Sequence, residues 1–235
     1  MLRSDFFALI ITFALSLIWL RINDFAAHKG WISSRLSRKI IHIGTGPIFV
    51  LCWLLFPNTS TSRYIAALVP LAITLQFFLV GIGVLRDDSA VQAMSRTGDP
   101  REILRGPLYY GLIFIGCTVL FWYDSPIGIV ALMLMCGGDG LADILGRNFG
   151  RSHIPWNPRK TWIGSLGMFT GGLILSSIVI AIYGEIGIFS ISFLEILPNL
   201  IIISLAGTVV ESLPIRDVDN ITVTLTAVIL GYYLF

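Results

Sequence analysis

Two carboxylates, an arginine and a Lys-Thr pair lie between two long apolar runs of this chain. Asp139, Asp143 and Arg147 follow one another at intervals of four residues, and Lys160-Thr161 comes shortly afterwards. A charged side chain inside a bilayer costs at least ~2.5 kcal/mol, so carboxylates beside apolar runs are functional candidates. Carboxylate oxygens are ligands that Mg²⁺ prefers, and fixed cations bind phosphate oxygens. The residue types therefore suit a magnesium-bound polyphosphate.

The spacing of four predicts that Asp139, Asp143 and Arg147 lie along one face of a helix. Two carboxylates on one face repel each other unless a cation lies between them or one is protonated. We therefore predict Asp139 and Asp143 as catalytic metal ligands and Arg147 as a bidentate phosphate ligand. An ordinary Asp–Arg ion pair at a helix end is the alternative.

A second candidate segment stands just before the sixth apolar run. At the N-terminus of a helix, backbone amides and the Thr161 hydroxyl form an anion site, to which Lys160 adds a point charge. Gly164 and Ser165 follow within the same turn and are predicted to belong to this nucleotide-binding segment. The alternative is a lysine that merely extends to the membrane interface.

Basic residues at the start of the second apolar run form a third segment. Arg38 and His42 share a helix face, and Lys39 lies between them. We predict that Arg38 and Lys39 bind phosphate and that His42 orients a phosphate or acts as an acid or base. Arg105, on a short amphipathic helix with Glu102, is a further phosphate candidate, although an ion-paired surface loop explains it equally well.

An acidic segment follows the seventh apolar run. Glu211 ends the run, and Asp217, Asp219 and Asn220 precede the eighth. Three carboxylates and an amide at a membrane boundary predict a second source of metal ligands, with Asp219 as the metal ligand and Glu211 and Asp217 in catalytic roles. An acidic surface turn is the alternative.

Composition places these segments in a membrane. The 235 residues are 55% hydrophobic and 13% charged, with a mean hydropathy of +0.84, whereas soluble domains are about 25% charged. We predict a single all-α domain over residues 1–235, a polytopic transmembrane helix bundle of about eight spans, with seven as the alternative. The candidate spans are Phe6–Leu20, Ile40–Phe56, Tyr64–Leu85, Pro107–Phe121, Pro126–Gly138, Ile163–Tyr183, Leu194–Val210 and Ile221–Phe235.

The distribution of basic residues predicts that all the motifs share one face of the bundle. Fourteen of the 16 lysines and arginines lie in four alternate loops. The positive-inside rule assigns these loops to the cytoplasm and both termini to the other side. No P-loop and no Gly-x-Gly-x-x-Gly motif occurs, so a nucleotide would have to bind on a scaffold of membrane helices. The fifth span is short, and it either continues as helix through Asp139 and Asp143 or enters the membrane only partway.

With these segments identified, the chain resembles the phytol kinase branch of the polyprenol kinase family, CTP-dependent membrane enzymes that include dolichol kinase. The resemblance runs from residue 38 to residue 220 in unbroken order. The matching motifs are Arg38-Lys39-x-x-His42, Arg101-Glu102-Ile103-Leu104-Arg105-Gly106-Pro107-Leu108-Tyr109-Tyr110, Gly138-Asp139-Gly140-Leu141-Ala142-Asp143-x-x-Gly146-Arg147, Lys160-Thr161-x-x-Gly164-Ser165, Glu211-Ser212-Leu213-Pro214 and Asp217-x-Asp219-Asn220.

The resemblance implies transfer of the γ-phosphoryl group of CTP, with Mg²⁺, to a long isoprenoid alcohol such as phytol, which would feed tocopherol or phylloquinone synthesis. The implied partners are the lipid bilayer, the alcohol and the nucleoside triphosphate, with no nucleic-acid polymer. Asp139 and Asp143 would hold magnesium, while Arg147 and Lys160 neutralise phosphate charge. Asp217 or Asp219, with Glu211, would supply a second metal ligand or accept the alcohol proton.

Two other functions remain open at this stage. The Asp139 and Lys160 segments also resemble the cytidylyltransferase that makes CDP-diacylglycerol, which uses the same nucleotide and metal. A transporter for an anionic solute would also place carboxylates within the membrane. The short N-terminus lacks an Arg/Ser-rich transit stretch, so we expect a bacterial chain of cyanobacterial type, in a plasma or thylakoid membrane, with its active site facing the cytoplasm.

Overall fold

The computed structural model describes residues 4–95, 97–190, 192–215 and 218–235. The α-helices are α1 (Asp5–His28), α2 (Ser34–Cys52), α3 (Ser62–Gly81), α4 (Asp88–Met94), α5 (Gly106–Phe121), α6 (Pro126–Met133), α7 (Gly140–Phe149), α8 (Trp162–Glu185), α9 (Phe193–Ser212) and α10 (Asp219–Leu234). Short 3-10 turns span Trp53–Leu55 and Pro100–Leu104, and a π-helix spans Leu134–Asp139. The two strands are β1 (His153–Ile154) and β2 (Asn157–Thr161).

The predicted all-α membrane bundle is confirmed, and the alternative count of seven spans is the better supported. Among the described residues, seven helical segments are long and apolar enough to cross a membrane. The eighth predicted span forms α10, which has only 16 residues. The count that the structure supports is therefore seven, the alternative given above.

One helical segment runs through the centre of the bundle from Pro126 to Phe149. It comprises α6, the π-helix and α7, so the prediction that the fifth span continues through Asp139 and Asp143 is confirmed. Every residue from 128 to 138 is buried, which explains why this stretch is apolar on all sides. The π-helix ends at Asp139. A π-turn adds one residue to the helical turn, and π-turns concentrate at functional sites. The π-helix is therefore a second indication, beside the charge of Asp139, that this residue belongs to a functional site.

Glycines let the backbone of α8 pack directly against the backbone of the central segment. A Cβ on Gly171 would lie 2.4 Å from the carbonyl oxygen of Gly137, and one on Gly167 would lie 2.8 Å from that of Leu141. Small residues at helix contacts are a common device of membrane proteins. These contacts give Gly167 and Gly171 a packing role.

An antiparallel hairpin joins α7 to α8, which the sequence analysis missed. His153 pairs with Thr161 and Ile154 with Asn157. The hairpin is short, and its sequence, with prolines at 155 and 158, lacks the apolar alternation that identifies a strand. Its importance is positional, because β2 carries Lys160 and ends where α8 begins.

We expect the substitution Gly171→Ala to destabilise the bundle. Its methyl group would overlap the Gly137 carbonyl, and overpacking of this kind costs about 1–3 kcal/mol. The thermal midpoint of purified protein in detergent measures the effect. Gly184→Ala, in the same helix but with open space around its Cβ, is the matched control. Equal midpoints for the two variants would contradict the packing role.

Candidate active site

A single cavity of about 1280 Å³ collects the candidate residues at one end of the bundle. Candidate residues as far apart in the sequence as Arg38 and Asp219 contribute to its walls. Asp217 lies outside the described residues, and every other candidate lines this cavity. They are Arg38, Lys39, His42, Arg105, Asp139, Asp143, Arg147, Lys160, Thr161, Gly164, Ser165, Glu211 and Asp219.

Lys39 lies between the two carboxylates of the central segment. Its Nζ is 3.2 Å from Oδ2 of Asp139 and 3.8 Å from Oδ2 of Asp143. The three side chains are each about one-fifth exposed. The repulsion between the carboxylates, noted from their spacing, is thus relieved by a cation from α2. We predicted Lys39 as a phosphate ligand; in the structure its ammonium group contacts carboxylates instead.

Arg147 binds Asp143 along the same helix. The guanidinium Nε donates to Oδ1 of Asp143 at 2.5 Å, a contact between residues four apart. This is the ion pair that we named as the alternative to phosphate binding. The Arg147 side chain remains half exposed and lines the cavity. Its guanidinium therefore retains donors for a further anion.

His42 is a second residue of α2, besides Lys39, that contacts Asp139. Its Nε2 lies 3.3 Å from Oδ2 of Asp139 and 3.3 Å from the carbonyl oxygen of Met135 in the π-helix. The Tyr110 hydroxyl donates to the His42 carbonyl at 2.9 Å, and the two rings lie 4.5 Å apart. Tyr110 thus holds the turn of α2 that carries His42. Our sequence analysis gave it no role, although a hydroxyl within an apolar span was a signal.

Lys160 and Glu211, which also line the cavity, form an ion pair with each other. Only 3% of Glu211 is exposed, and its Oε1 accepts from Lys160, whose Nζ also lies 3.6 Å from Oδ2 of Asp219. Burial disfavours the charged form of Lys160, but the surrounding carboxylates, Glu211 first, outweigh it and raise the pKa of Lys160. Oε2 of Glu211 is buried without a hydrogen-bond partner among the described residues.

Asn157 attaches the hairpin to the end of α9, a role that the sequence analysis missed. Its Nδ2 donates to the carbonyl oxygens of Ser212 at 3.2 Å and Leu213 at 3.0 Å. Both carbonyls lie at the end of α9, and that of Leu213 also accepts from the backbone N–H of Ile215 at 2.8 Å. Because Lys160 lies on the same strand as Asn157, this attachment brings it to Glu211. Nothing in the local sequence marks which helix end the amide binds.

The start of α8 only partly matches the predicted anion site. Thr161 caps the helix, and its Oγ1 accepts from the backbone N–H of Gly164 at 3.1 Å. That amide is therefore already used within the protein. Gly164 also permits close packing, since a Cβ there would lie 3.2 Å from the carbonyl oxygen of Ala142. Ser165 Oγ is buried and has no partner among the described residues, so it can still donate to a ligand.

The metal prediction rests on donor chemistry. Oδ2 of Asp139 and Oδ2 of Asp143 lie within 4 Å of one point, the Lys39 nitrogen, so a cation near that point would meet two carboxylates. Among the described residues, no group of three or more His, Cys, Asp or Glu side chains is placed to hold a metal. Mg²⁺ needs only one or two carboxylates when phosphates and water complete its shell. The residues therefore fit a magnesium–nucleotide complex rather than a metal held by protein alone.

Comparison with known proteins finds close relatives in plants. The chain is 39% identical over 217 residues to the probable phytol kinase, chloroplastic, of Zea mays, which covers 92% of this chain and 72% of the relative. It is 41% identical over 206 residues to phytol kinase 1, chloroplastic, of Arabidopsis thaliana, covering 87% and 68%. It is 40% identical over 209 residues to the farnesol kinase, chloroplastic, of Arabidopsis thaliana, covering 88% and 68%. No protein-family model and no solved structure matches.

These relatives correct the expected location. They are named as chloroplastic proteins of plants, so they point to a plastid membrane. The expectation of a bacterial plasma or thylakoid membrane was wrong, because it was inferred from the short N-terminus alone. The assignment of the motif face to the cytoplasm depended on that location and is withdrawn with it.

We expect Lys160→Met to destabilise the protein by about 3 kcal/mol, because it leaves the buried Glu211 carboxylate without its cation. The double variant Lys160→Met/Glu211→Gln removes the uncompensated charge and should recover most of the loss. Thermal unfolding of the three proteins in detergent tests this coupling. If the single variant unfolds at the same temperature as the parent, the pair has no structural role.

Proposed function

Because the chain belongs to the family of plant phytol and farnesol kinases, we propose that it transfers the γ-phosphoryl group of CTP to phytol. The coarser function is that of the family: the chain is a membrane enzyme that phosphorylates an isoprenoid alcohol and uses a nucleotide as the phosphoryl donor. We propose phytol as the acceptor, CTP as the donor and Mg²⁺ as the metal. We also propose that the product supplies tocopherol or phylloquinone synthesis.

The observation that carries the proposal is the two-part cavity. Charged side chains, among them Lys39, Asp139 and Lys160, line one part, and apolar side chains such as Phe49, Ile73 and others of the membrane helices line the rest. A nucleoside triphosphate and an isoprenoid alcohol need these two environments side by side. The cavity therefore has room for the reacting hydroxyl where charge meets apolar surface.

The charged part suits phosphoryl transfer, which depends mainly on positioning and charge stabilisation. Bound magnesium would neutralise charge on the phosphate oxygens, and Asp139 and Asp143 are the residues that would hold it. Arg147 and Lys160 provide fixed positive charge at the cavity wall. Lys39, which contacts both carboxylates, would add a further positive charge beside a bound triphosphate.

In the proposed step, the alcohol oxygen forms a bond to the γ-phosphorus as the bond from that phosphorus to the β-phosphate bridging oxygen breaks. CDP leaves with the bonding electrons, and the alcohol proton passes to a carboxylate. Glu211 is the group that the contacts favour for this proton, because its Oε2 is buried and carries no hydrogen bond among the described residues. Asp219, which also lines the cavity, is the alternative acceptor.

The rival functions make different products. A cytidylyltransferase would release pyrophosphate and form CDP-diacylglycerol from phosphatidic acid, and a transporter would turn over no nucleotide. The kinase relatives favour transfer to an alcohol. Incubation of the purified protein with γ-labelled CTP, Mg²⁺ and phytol, with phosphatidic acid in a parallel reaction, separates the three. Labelled phytyl monophosphate is the expected product, and its absence while CDP-diacylglycerol forms would overturn the proposal.

We expect Asp139→Asn to lower phosphoryl transfer on the order of 10²-fold or more, because one metal-binding charge is lost from the transition state. The protein should still insert and elute as the parent does in detergent. Asp124→Asn, an exposed carboxylate in the loop between α5 and α6, is the matched control. Initial rates of labelled product at saturating CTP measure the effect, and a rate equal to that of the control would remove Asp139 from the site.

A further inference from the structure

The apolar part of the cavity extends only partway along the helices that line it. On α5 the lining residues run from Gly106 to Phe114, and on α2 they run from Arg38 to Phe49. The later turns of these two helices do not line the cavity. On α3, which runs in the opposite direction, the lining residue farthest from the charged end is Val69. Phe49, Val69 and Phe114 are therefore the last lining residues on these three helices.

Two phenylalanines form the closed end. The rings of Phe49 and Phe114 lie 5.6 Å apart, and only 2% and 3% of these residues are exposed. Phe49 also contacts Trp53, whose ring in turn lies 5.3 Å from that of Trp122. Trp53 and Trp122 are fully buried and do not line the cavity. A packed aromatic layer thus lies beneath the two phenylalanines.

The polar residues on the apolar walls offer no free hydroxyl donors. The hydroxyls of Ser16, Thr45 and Thr74 each donate to the carbonyl oxygen four residues earlier in their own helix, at 2.6–2.8 Å. A hydroxyl that is satisfied in this way leaves mainly its methyl or methylene group to face a ligand. The walls therefore suit a hydrocarbon chain rather than a second polar substrate.

The depth of the closed end is limited. Eleven residues of α2 separate Arg38 from Phe49, which corresponds to ~16 Å along the helix, about half of the ~30 Å hydrocarbon layer. An isoprenoid chain whose hydroxyl lies beside the charged residues would extend toward the two phenylalanines. The far end of the chain would then meet rigid aromatic rings.

We propose that Phe49 and Phe114 form the floor of the alcohol-binding lobe and set the length of isoprenoid chain that the enzyme accepts. The proposal rests on the proposed function and refines it. The relatives include both phytol and farnesol kinases at nearly equal identity, so overall similarity does not decide the preferred chain. The floor is a specificity-determining feature, distinct from the charged residues that bind nucleotide.

Two variants of opposite effect test the floor. Phe114→Ala deepens the lobe, and Ile73→Trp, at a half-buried position on the cavity wall, fills it. Rates are measured with phytol, farnesol, geranylgeraniol and the C25 alcohol geranylfarnesol at the same CTP concentration. Phe114→Ala should raise kcat/KM for geranylfarnesol relative to farnesol about 10-fold, and Ile73→Trp should lower kcat/KM for geranylgeraniol relative to farnesol by a similar factor.

Matched controls come from the outer face of α3. Phe78→Ala and Leu75→Trp make the same kinds of change at exposed positions and should leave these ratios unchanged. Unaltered KM for CTP in each variant shows that the charged site is intact. Should Phe114→Ala fail to accumulate, Phe114→Leu takes its place, because it shortens the same floor residue while removing less of the core.

The outcomes separate the floor from the function. If the parent protein phosphorylates none of the alcohols, the proposed function fails. If the parent is active and both variants keep the parent's chain-length ratios, the floor proposal is overturned while the function stands. Opposite changes in the two ratios, absent from the controls, support the floor.

Discussion

The pairing of Lys39 with Asp139 and Asp143 is the interaction on which the site depends. It joins α2 to the end of the central segment, across 100 positions of sequence in the case of Asp139. The three side chains are only about one-fifth exposed, so their charges are partly desolvated and are stabilised by pairing. The pair therefore restricts how α2 can lie against the central segment, and with it the position of His42.

Close backbone contact makes this pairing possible. A Cβ on Gly140 would lie 2.1 Å from a side-chain carbon of Ile43, one turn beyond Lys39 on α2. On the other side, a Cβ on Gly146 would lie 3.4 Å from Cα of Gly164. Glycines thus bring α2 and α8 close to the same short helix, so that side chains from three elements reach one cavity. Larger residues would hold the charges apart, where water and ions would replace their contacts.

The membrane scaffold accounts for the two-part cavity. Helices that cross a bilayer are apolar for most of their length, and their charged residues collect at the ends. A space between such helices is consequently lined by hydrocarbon in its depth and by charge at its mouth. An amphipathic substrate with a single hydroxyl is oriented by that gradient alone. In the proposed reaction the phosphoryl donor would lie at this boundary, beside the hairpin and the end of α9.

The sequence by itself determined the helical class, the approximate spans and a list of candidate residues that line one cavity, because hydropathy and helical spacing act over one or two turns. The contacts needed the tertiary structure. Lys39 of α2 contacts Asp139 and Asp143, and Asn157 and Lys160 both join the hairpin to the end of α9. The π-helix adds one residue to a turn and so rotates the helix face that follows it. Neither this rotation nor a hydrogen bond to a remote helix end produces a recognisable pattern in the local sequence. A charged side chain pairs with an opposite charge that is near in space, however far apart the two residues are in the sequence. The packing of the helices therefore decides which of the chain's lysines and arginines lie within 4 Å of a given carboxylate.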